Sequence, residues 1–125
     1  MRIFAYNLIF LILLPFTVAR IIIKSFLDKD YLTNFHHRFG IYKKISSQKY
    51  IWFHAVSLGE VISSETIIRR LLNDTNLVLT TSTPTGYREA KKIYGNDVEI
   101  VYAPWDFIFF VKGFIKILNP IALIL

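Results

Sequence analysis

The sequence predicts an α/β fold in which an apolar N-terminal helix precedes a small sheet of parallel strands. Three observations support it: residues 3–19 hold no charged side chain, four short apolar runs recur later in the chain, and a helical pattern separates each run from the next. Continuous apolar runs are typical of parallel strands that helices cover on both faces. Their alternation with helices predicts a partial Rossmann-like sheet after a transmembrane helix.

We expect residues 1–24 to form a transmembrane anchor. A helix over residues 3–23 would measure about 32 Å, enough for a bilayer core of about 30 Å. A cleaved signal peptide is less favoured, because Ala19 is followed by Arg20 and bulky isoleucines. A buried or interfacial helix is the third alternative. Basic residues follow the span, so the positive-inside rule predicts a single pass through the plasma membrane with residue 24 onward in the cytoplasm.

The net charge of +6 lies entirely in residues 1–49, which hold eight Lys or Arg and two Asp, whereas residues 50–125 hold seven of each sign. A nucleic-acid surface would carry its excess on the folded domain, so nucleic acid is an unfavoured partner. Residues 25–49 instead predict a basic interfacial connector that attracts anionic lipid. The basic side chains after the apolar segment are Arg20, Lys24, Lys29, Arg38, Lys43, Lys44 and Lys49. The chain has no cysteine, which excludes disulfides and thiol catalysis.

Residues 50–125 predict the α/β body itself. The expected strands are 50–56, 77–81, 98–103 and 121–125, and the expected helices are 61–73, 86–95 and 106–119. Gly95 is the predicted C-cap of the second helix and Asp106 the N-cap of the third. The first helix should face the core with five apolar side chains, those of Val61, Ile62, Ile68, Leu71 and Leu72. The third is apolar nearly all round, so it should lie between the sheet and either a further domain or the bilayer, or dip into the membrane.

Ligands of open α/β sheets bind beyond the carboxyl ends of the strands, where two loops qualify. These are "SLGE" (57–60) and "TSTPTG" (81–86). Ser57 and Glu60 have the spacing of a capping box, but a base is also possible, because Gly59 would let a ligand approach the backbone. The second loop is either a capped helix start at Pro84 or an anion site lined by hydroxyls. Neither a dinucleotide fingerprint nor a P-loop is present.

Other polar residues carry weaker signals. His54 lies within a strand and is interpreted as a hydrogen-bonded core histidine. His36 and His37 are adjacent and make a poor metal pair. The acidic pair at Asp28 and Asp30 is also discounted as a metal site, because it follows the apolar segment instead of a strand.

Four segments together resemble one family. They are "RFG" (38–40), "IWFHAVSLGEV" (51–61), "LTTSTPTG" (79–86) and "VYAPWD" (101–106). In this order and at this spacing the chain resembles the N-terminal half of the 3-deoxy-D-manno-octulosonic acid (Kdo) transferases, which are membrane-anchored GT-B glycosyltransferases of lipopolysaccharide synthesis. The resemblance covers essentially the whole chain.

The resemblance implies an inverting transfer of Kdo from CMP-Kdo to lipid IVA, the lipid A precursor, at the cytoplasmic face of the inner membrane. It makes Glu60 the general base, and implies neither a cofactor nor a divalent metal. The residues that it implies on the acceptor side are Arg38, Ser57, Gly59, Thr83, Thr85 and Gly86.

The chain also departs from the family pattern. A second family glutamate, in a motif close to E-T-E-L-W-P-N, would follow directly after Leu125, and the CMP-binding domain would lie further on. We therefore expect a truncated acceptor-binding domain that is inactive alone. The alternative is a non-catalytic, membrane-anchored module that binds anionic lipid.

Overall fold

The computed structural model describes residues 2–43 and 49–125. A long helix, α1, and two short 3-10 turns precede an alternation of strands and helices. The helices are α1 (Arg2–Ser25), α2 (Leu58–Ser63), α3 (Glu65–Leu71), α4 (Pro84–Tyr94) and α5 (Ile108–Leu118), and the 3-10 turns are Lys29–Tyr31 and Phe35–Phe39. The strands are β1 (Tyr50–His54), β2 (Asn76–Thr81), β3 (Glu99–Tyr102) and β4 (Ala122–Ile124).

The four strands form one parallel sheet in the order β3-β2-β1-β4. Ile51 lies opposite Leu77 of β2 and Ala122 of β4, so β1 is central. Strands β2 and β3 follow one another on one side of β1, and β4 then pairs with the other side of β1. This order is that of the first four strands of a doubly wound sheet, whose ligands bind where the order reverses, beside β1. The predicted parallel α/β sheet is confirmed.

Each face of the sheet has its own apolar cluster. Helices α2 to α4 bury Val61, Ile68 and Tyr94 against one face. On the other face, Phe114 of α5 packs edge-on against Trp52 of β1, with the ring centroids 4.6 Å apart. Because successive side chains of a strand point to opposite faces, strands covered on both sides must be apolar throughout.

The helix predicted at 61–73 is two helices that join at Ser64. The hydroxyls of Ser63 and Ser64 both donate to the carbonyl oxygen of Glu60, at 3.1 and 2.6 Å. Serine hydroxyls compete with the helical backbone in this way, which accounts for the break. The prediction that Ile62 faces the core is wrong, because half of this residue is exposed, whereas Val61 and Ile68 are fully buried.

The predicted cap at Asp106 is also wrong. Helix α5 begins at Ile108, with Phe107 as its N-cap residue and no side-chain cap bond. The Asp106 carboxylate instead accepts a hydrogen bond from the Tyr6 hydroxyl of α1 at 2.8 Å. By contrast, Gly95 ends α4 with a φ of +55°, so the predicted C-cap is confirmed.

Helix α1 is long and apolar enough to cross a membrane by length and composition, which is weak evidence for a span. Most of its side chains are exposed. Its N-terminal half nevertheless contacts the body, where Phe10 stacks on Phe107 with 5.4 Å between the ring centroids.

The acidic pair after α1 joins the connector to the body. Asp28 and Asp30 both form ion pairs with Arg88 of α4. These carboxylates therefore have a structural partner.

Candidate functional site

The two loops singled out from the sequence meet at the carboxyl ends of β1 and β2. The backbone N–H of Ser82 donates to the carbonyl of Val56 at 3.1 Å, and the Thr81 hydroxyl donates to the same oxygen at 3.2 Å. The parallel pairing thus continues one step past the strands. It brings the start of α2 beside the start of α4.

Glu60 lies on the exposed first turn of α2. Its Oε2 accepts a hydrogen bond from the backbone N–H of Val56 at 2.7 Å. Among residues 2–43 and 49–125, the structure gives Oε1 no hydrogen-bond donor. One carboxylate oxygen of this exposed residue is therefore held, while the other is unpaired within the described residues.

The capping box predicted at Ser57 and Glu60 does not form. Ser57 is the N-cap residue of α2, but its side chain makes no cap hydrogen bond. The Glu60 carboxylate accepts its hydrogen bond from the N–H of Val56, one residue before the N-cap, instead of from Ser57. Half of the motif is present, with its register shifted by one residue.

The two glycines of the loops differ in the space around them. A Cβ on Gly59 would meet no atom within 4 Å. A Cβ on Gly86 would lie 2.5 Å from the Thr81 hydroxyl oxygen and 3.4 Å from the Leu58 nitrogen. Gly86 is therefore required for the close approach of α4 to α2, whereas Gly59 leaves open surface directly before the acid.

Behind Glu60, His54 is half-buried in a polar network. Its Nδ1 lies 2.8 Å from the Thr80 hydroxyl, which also accepts a hydrogen bond from Trp52 Nε1 at 2.7 Å. Burial lowers the pKa of His54, and the nearby negative charge of Glu60 opposes this shift. The interpretation of His54 as a hydrogen-bonded core histidine agrees with this network.

The loop after β2 is a capped helix start. The Thr83 hydroxyl accepts a hydrogen bond from the Gly86 N–H at 3.1 Å, with Pro84 in the first turn. The exposed Thr85 donates its hydroxyl proton to Thr83 at 3.3 Å. The capping interpretation is confirmed, and the Gly86 N–H is not free for an anion.

Arg38 is buried instead of lying on a basic surface as the sequence suggested, with 5% of the residue exposed. Its guanidinium donates to the Ser82 carbonyl at 3.2 Å and lies over the Tyr102 ring, 4.6 Å from the centroid. Burial lowers its pKa. The other basic residues named from the sequence are exposed or half-buried, except Lys44, which lies outside the described residues.

The predicted site residues thus form two groups. Ser57, Gly59 and Glu60 occupy the open edge beside β1, with Gly86 behind them. Arg38 and Thr83 line a cavity against α1 that does not include Glu60. Sequence reasoning missed Tyr102 as the partner of Arg38, although both lie in segments that carry the family resemblance.

The chain is similar to known proteins over most of its length. Residues 33–125 match the family described as 3-deoxy-D-manno-octulosonic-acid transferase (kdotransferase). The chain is 32% identical over 122 residues to the 3-deoxy-D-manno-octulosonic acid transferase of Haemophilus influenzae, covering 94% of this chain and 29% of the relative. It is 30% identical over 104 residues to a bifunctional glycosyltransferase/methyltransferase of Fusobacterium nucleatum, covering 80% of this chain and 15% of that protein. No solved structure matches the chain significantly. The chain therefore spans less than a third of the length of either relative.

Proposed function

Because the chain belongs to the Kdo transferase family, we propose that it forms the N-terminal, acceptor-binding part of an enzyme that transfers Kdo from CMP-Kdo to lipid IVA. Family membership supports a glycosyltransferase of lipopolysaccharide biosynthesis. The donor, the acceptor and the catalytic role of Glu60 are the proposed details, together with a GT-B architecture for the whole enzyme.

The observation that carries the proposal is the exposed carboxylate of Glu60 at the end of the central strand. One oxygen is held by Val56, so the second can accept a proton from an acceptor hydroxyl. The hydroxyl oxygen then attacks the anomeric carbon of Kdo while the bond to the CMP phosphate breaks, and CMP departs with that electron pair. Attack opposite the leaving group inverts the anomeric configuration.

The residues around Glu60 would bind the acceptor sugar. Gly59 leaves the backbone accessible. Ser57, directly before α2, and the exposed Thr85, in the first turn of α4, would add hydroxyls. Gly86 and Thr83 would act by holding the start of α4 in place. Their contribution would be to position the acceptor hydroxyl against Glu60.

We further propose that the body lies on the cytoplasmic side of the inner membrane, with the apolar α1 as its anchor. The basic connector would meet anionic lipid. The donor would bind to a part of the enzyme that these residues do not supply, so the 125 residues alone are expected to be inactive. No cofactor is required by this scheme.

A chimera tests the proposal, with this chain replacing the matching part of the Haemophilus influenzae relative. The assay is CMP release from CMP-Kdo in the presence of lipid IVA. Glu60→Gln should reduce the rate by about 10²-fold or more, the range typical of a lost general base. The matched control is Glu65→Gln, which changes an acid five residues after Glu60 that pairs with Arg69. A Glu60→Gln chimera with the parent rate would remove Glu60 as the base.

The second candidate function is a non-catalytic, membrane-anchored module that binds anionic lipid. The basic charge beside α1 favours it. It predicts salt-dependent lipid binding together with a chimera that is inactive whatever residue occupies position 60. Binding that ignored Arg38, Lys43 and Lys44 would exclude this function.

A further inference from the structure

A cavity of about 250 Å³ lies between the C-terminal half of α1 and the start of α4. One water molecule in the liquid occupies about 30 Å³. On that scale the cavity has room for a phosphoryl group and for part of the molecule to which it is esterified. Its wall includes Arg20, Lys24, Arg38, Ser82, Thr83 and Trp105. Three of these side chains are cationic, and none of the described residues that line the cavity is acidic.

Arg38 is the buried cation of this cavity. Its Nε is buried and has no hydrogen-bond partner in the part of the chain that the structure describes. The known contacts of the guanidinium are one backbone carbonyl and one aromatic face, both uncharged. A buried charge without a counterion is costly, so the cavity lacks the negative partner that its chemistry calls for.

The neighbouring acids do not supply that partner. Asp28 and Asp30 both form ion pairs with Arg88. Among residues 2–43 and 49–125, no carboxylate forms an ion pair with Arg38 or Lys24. Lys24 instead lies over the Tyr31 ring, 5.4 Å from the centroid.

The start of α4 adds to the positive potential. Ser82 and Thr83 line the cavity directly before this helix of eleven residues. The N-terminal end of such a helix carries a partial positive charge, although its Gly86 N–H is already bonded to Thr83 and is not a donor for the anion. The cavity therefore combines a buried guanidinium, two further cations and the positive end of a helix.

The position of the cavity indicates where the anion comes from. Arg20 and Lys24 lie on the last turns of α1, whose neighbouring apolar side chains are exposed, including Ile22 and Ile23. If these apolar side chains contact lipid tails, the cavity beside them lies at the depth of the lipid headgroups. The anion would then belong to a headgroup. Guanidinium and ammonium donors suit the several oxygens of a terminal phosphoryl group.

We propose that this cavity binds the phosphomonoester group of a membrane lipid. Only a phosphorylated lipid is needed for this, and the further step that this lipid is the acceptor rests on the proposed function. Bound there, the lipid would be held beside the start of α4, which also forms one side of the edge that carries Glu60.

The test uses the full chain in neutral detergent micelles. Short-chain phosphatidic acid, a phosphomonoester, and short-chain phosphatidylglycerol, a phosphodiester, are titrated into the protein separately. Calorimetry and tryptophan emission measure the two affinities. Trp105 reports from the cavity wall. We expect phosphatidic acid to bind at least about tenfold more tightly, a difference of the size expected for charge-assisted hydrogen bonds.

The variants locate the binding. Arg38→Gln and Lys24→Gln should each remove the preference for phosphatidic acid, whereas Lys92→Gln, an exposed control on α4, should keep it. If Arg38→Gln fails to fold, as circular dichroism would show, Lys24→Gln and Arg20→Gln on the surface of α1 decide. Equal affinity for the two lipids, or a preference that survives these variants, would overturn the proposal.

Two further arms separate the sources of the anion and the two proposals. Inorganic phosphate that bound as tightly as phosphatidic acid would overturn the lipid assignment, because the acyl chains would then add nothing. Glu60→Gln should keep the lipid preference, since Glu60 does not line the cavity. A loss of transfer in the Glu60→Gln chimera, together with no lipid preference in the parent chain, would sink the cavity proposal alone.

Discussion

The Oε2 atom of Glu60 accepts a hydrogen bond from the backbone N–H of Val56 at 2.7 Å, across the turn that joins β1 to α2. The carbonyl of the same Val56 accepts from Ser82 and Thr81 of the next loop. A single peptide segment therefore links the acid to the start of α4. The position of the carboxylate depends on the sheet as well as on its own helix.

This contact separates a structural effect from a catalytic one. Glu60→Gln retains an oxygen that can accept from Val56, so the free energy of unfolding should change little. Glu60→Ala loses the bond and should lower it by up to about 1 kcal/mol. Both variants should reduce the rate of transfer in the chimera by about 10²-fold or more. Urea denaturation of the two variants checks the difference, and equal stability losses would show that the Val56 contact contributes nothing.

The two loop glycines should respond in opposite ways to alanine. Gly86→Ala places a methyl group against Thr81 and should cost about 1–3 kcal/mol, as overpacking does. Gly59→Ala meets no neighbour and should preserve or raise the melting temperature, since alanine favours a helix. If Gly59 leaves room for the acceptor, the same variant should lower kcat/KM in the chimera. Unchanged kcat/KM would mean that no substrate approaches there.

Stability should fall at acid pH because of His37. Burial, with a smaller effect of the charge on His36, lowers the pKa of His37 to about 4. Its Nδ1 accepts from the Tyr102 N–H at 3.3 Å, and its ring stacks on Tyr42. In the unfolded chain the pKa returns to about 6.5, so between pH 6.5 and 4 the unfolded state binds the extra proton.

This contribution to stability is complete above about pH 6.5. It should fall by up to about 3 kcal/mol as the pH drops toward 4. Denaturant melts across that range should show the slope in the parent and in His36→Gln, whose side chain is exposed. His37→Gln should reduce the slope and leave a smaller one from His54, whose pKa burial also lowers. A slope that is unchanged in His37→Gln would assign it to other groups.

The contacts of α1 favour a helix that lies along the membrane surface over one that crosses it. Tyr6 lies about 27 Å along the helix from Lys24, at 1.5 Å per residue. A perpendicular helix with Lys24 at the cytoplasmic surface would carry Tyr6, and with it the bonded Asp106, toward the far side of the bilayer. An acid within the hydrocarbon is costly, whereas an interfacial helix keeps both ends on one side.

Cysteine labelling distinguishes the two arrangements, because the chain has no cysteine of its own. Arg2→Cys and Leu27→Cys place single thiols at or just beyond the two ends of α1, and Leu27 is 92% exposed. With an impermeant maleimide on oriented membrane vesicles, both should be labelled from the same side. Labelling from opposite sides would establish the single pass that the charge distribution predicts.

Local patterns in the sequence were sufficient for much of the fold. Apolar runs and helical periodicity predicted all four strands, and Gly95 predicted the end of α4. These signals act over a few residues, since they depend on backbone preference and on which side chains face a core. The resemblance of the two loops to one family was likewise visible from motif order and spacing, and the family is confirmed.

Other features required the folded chain. The hydroxyls at Ser63 and Ser64 could be seen in the sequence, but not that they would divide the helix at 61–73. The partner of the Glu60 oxygen proved to be Val56 instead of Ser57, because the loop follows its neighbour strand past the end of β1.

The sequence by itself determined that this chain forms a parallel α/β sheet with an apolar N-terminal helix and an acid after the central strand. The tertiary structure decided that Arg38 is buried in a cationic cavity and that Asp106 binds Tyr6 instead of capping a helix. Residues 38 and 82 are 44 apart in the chain, and residues 6 and 106 are 100 apart. Contacts over such separations leave no local periodicity, because they arise only when packed elements bring distant side chains together.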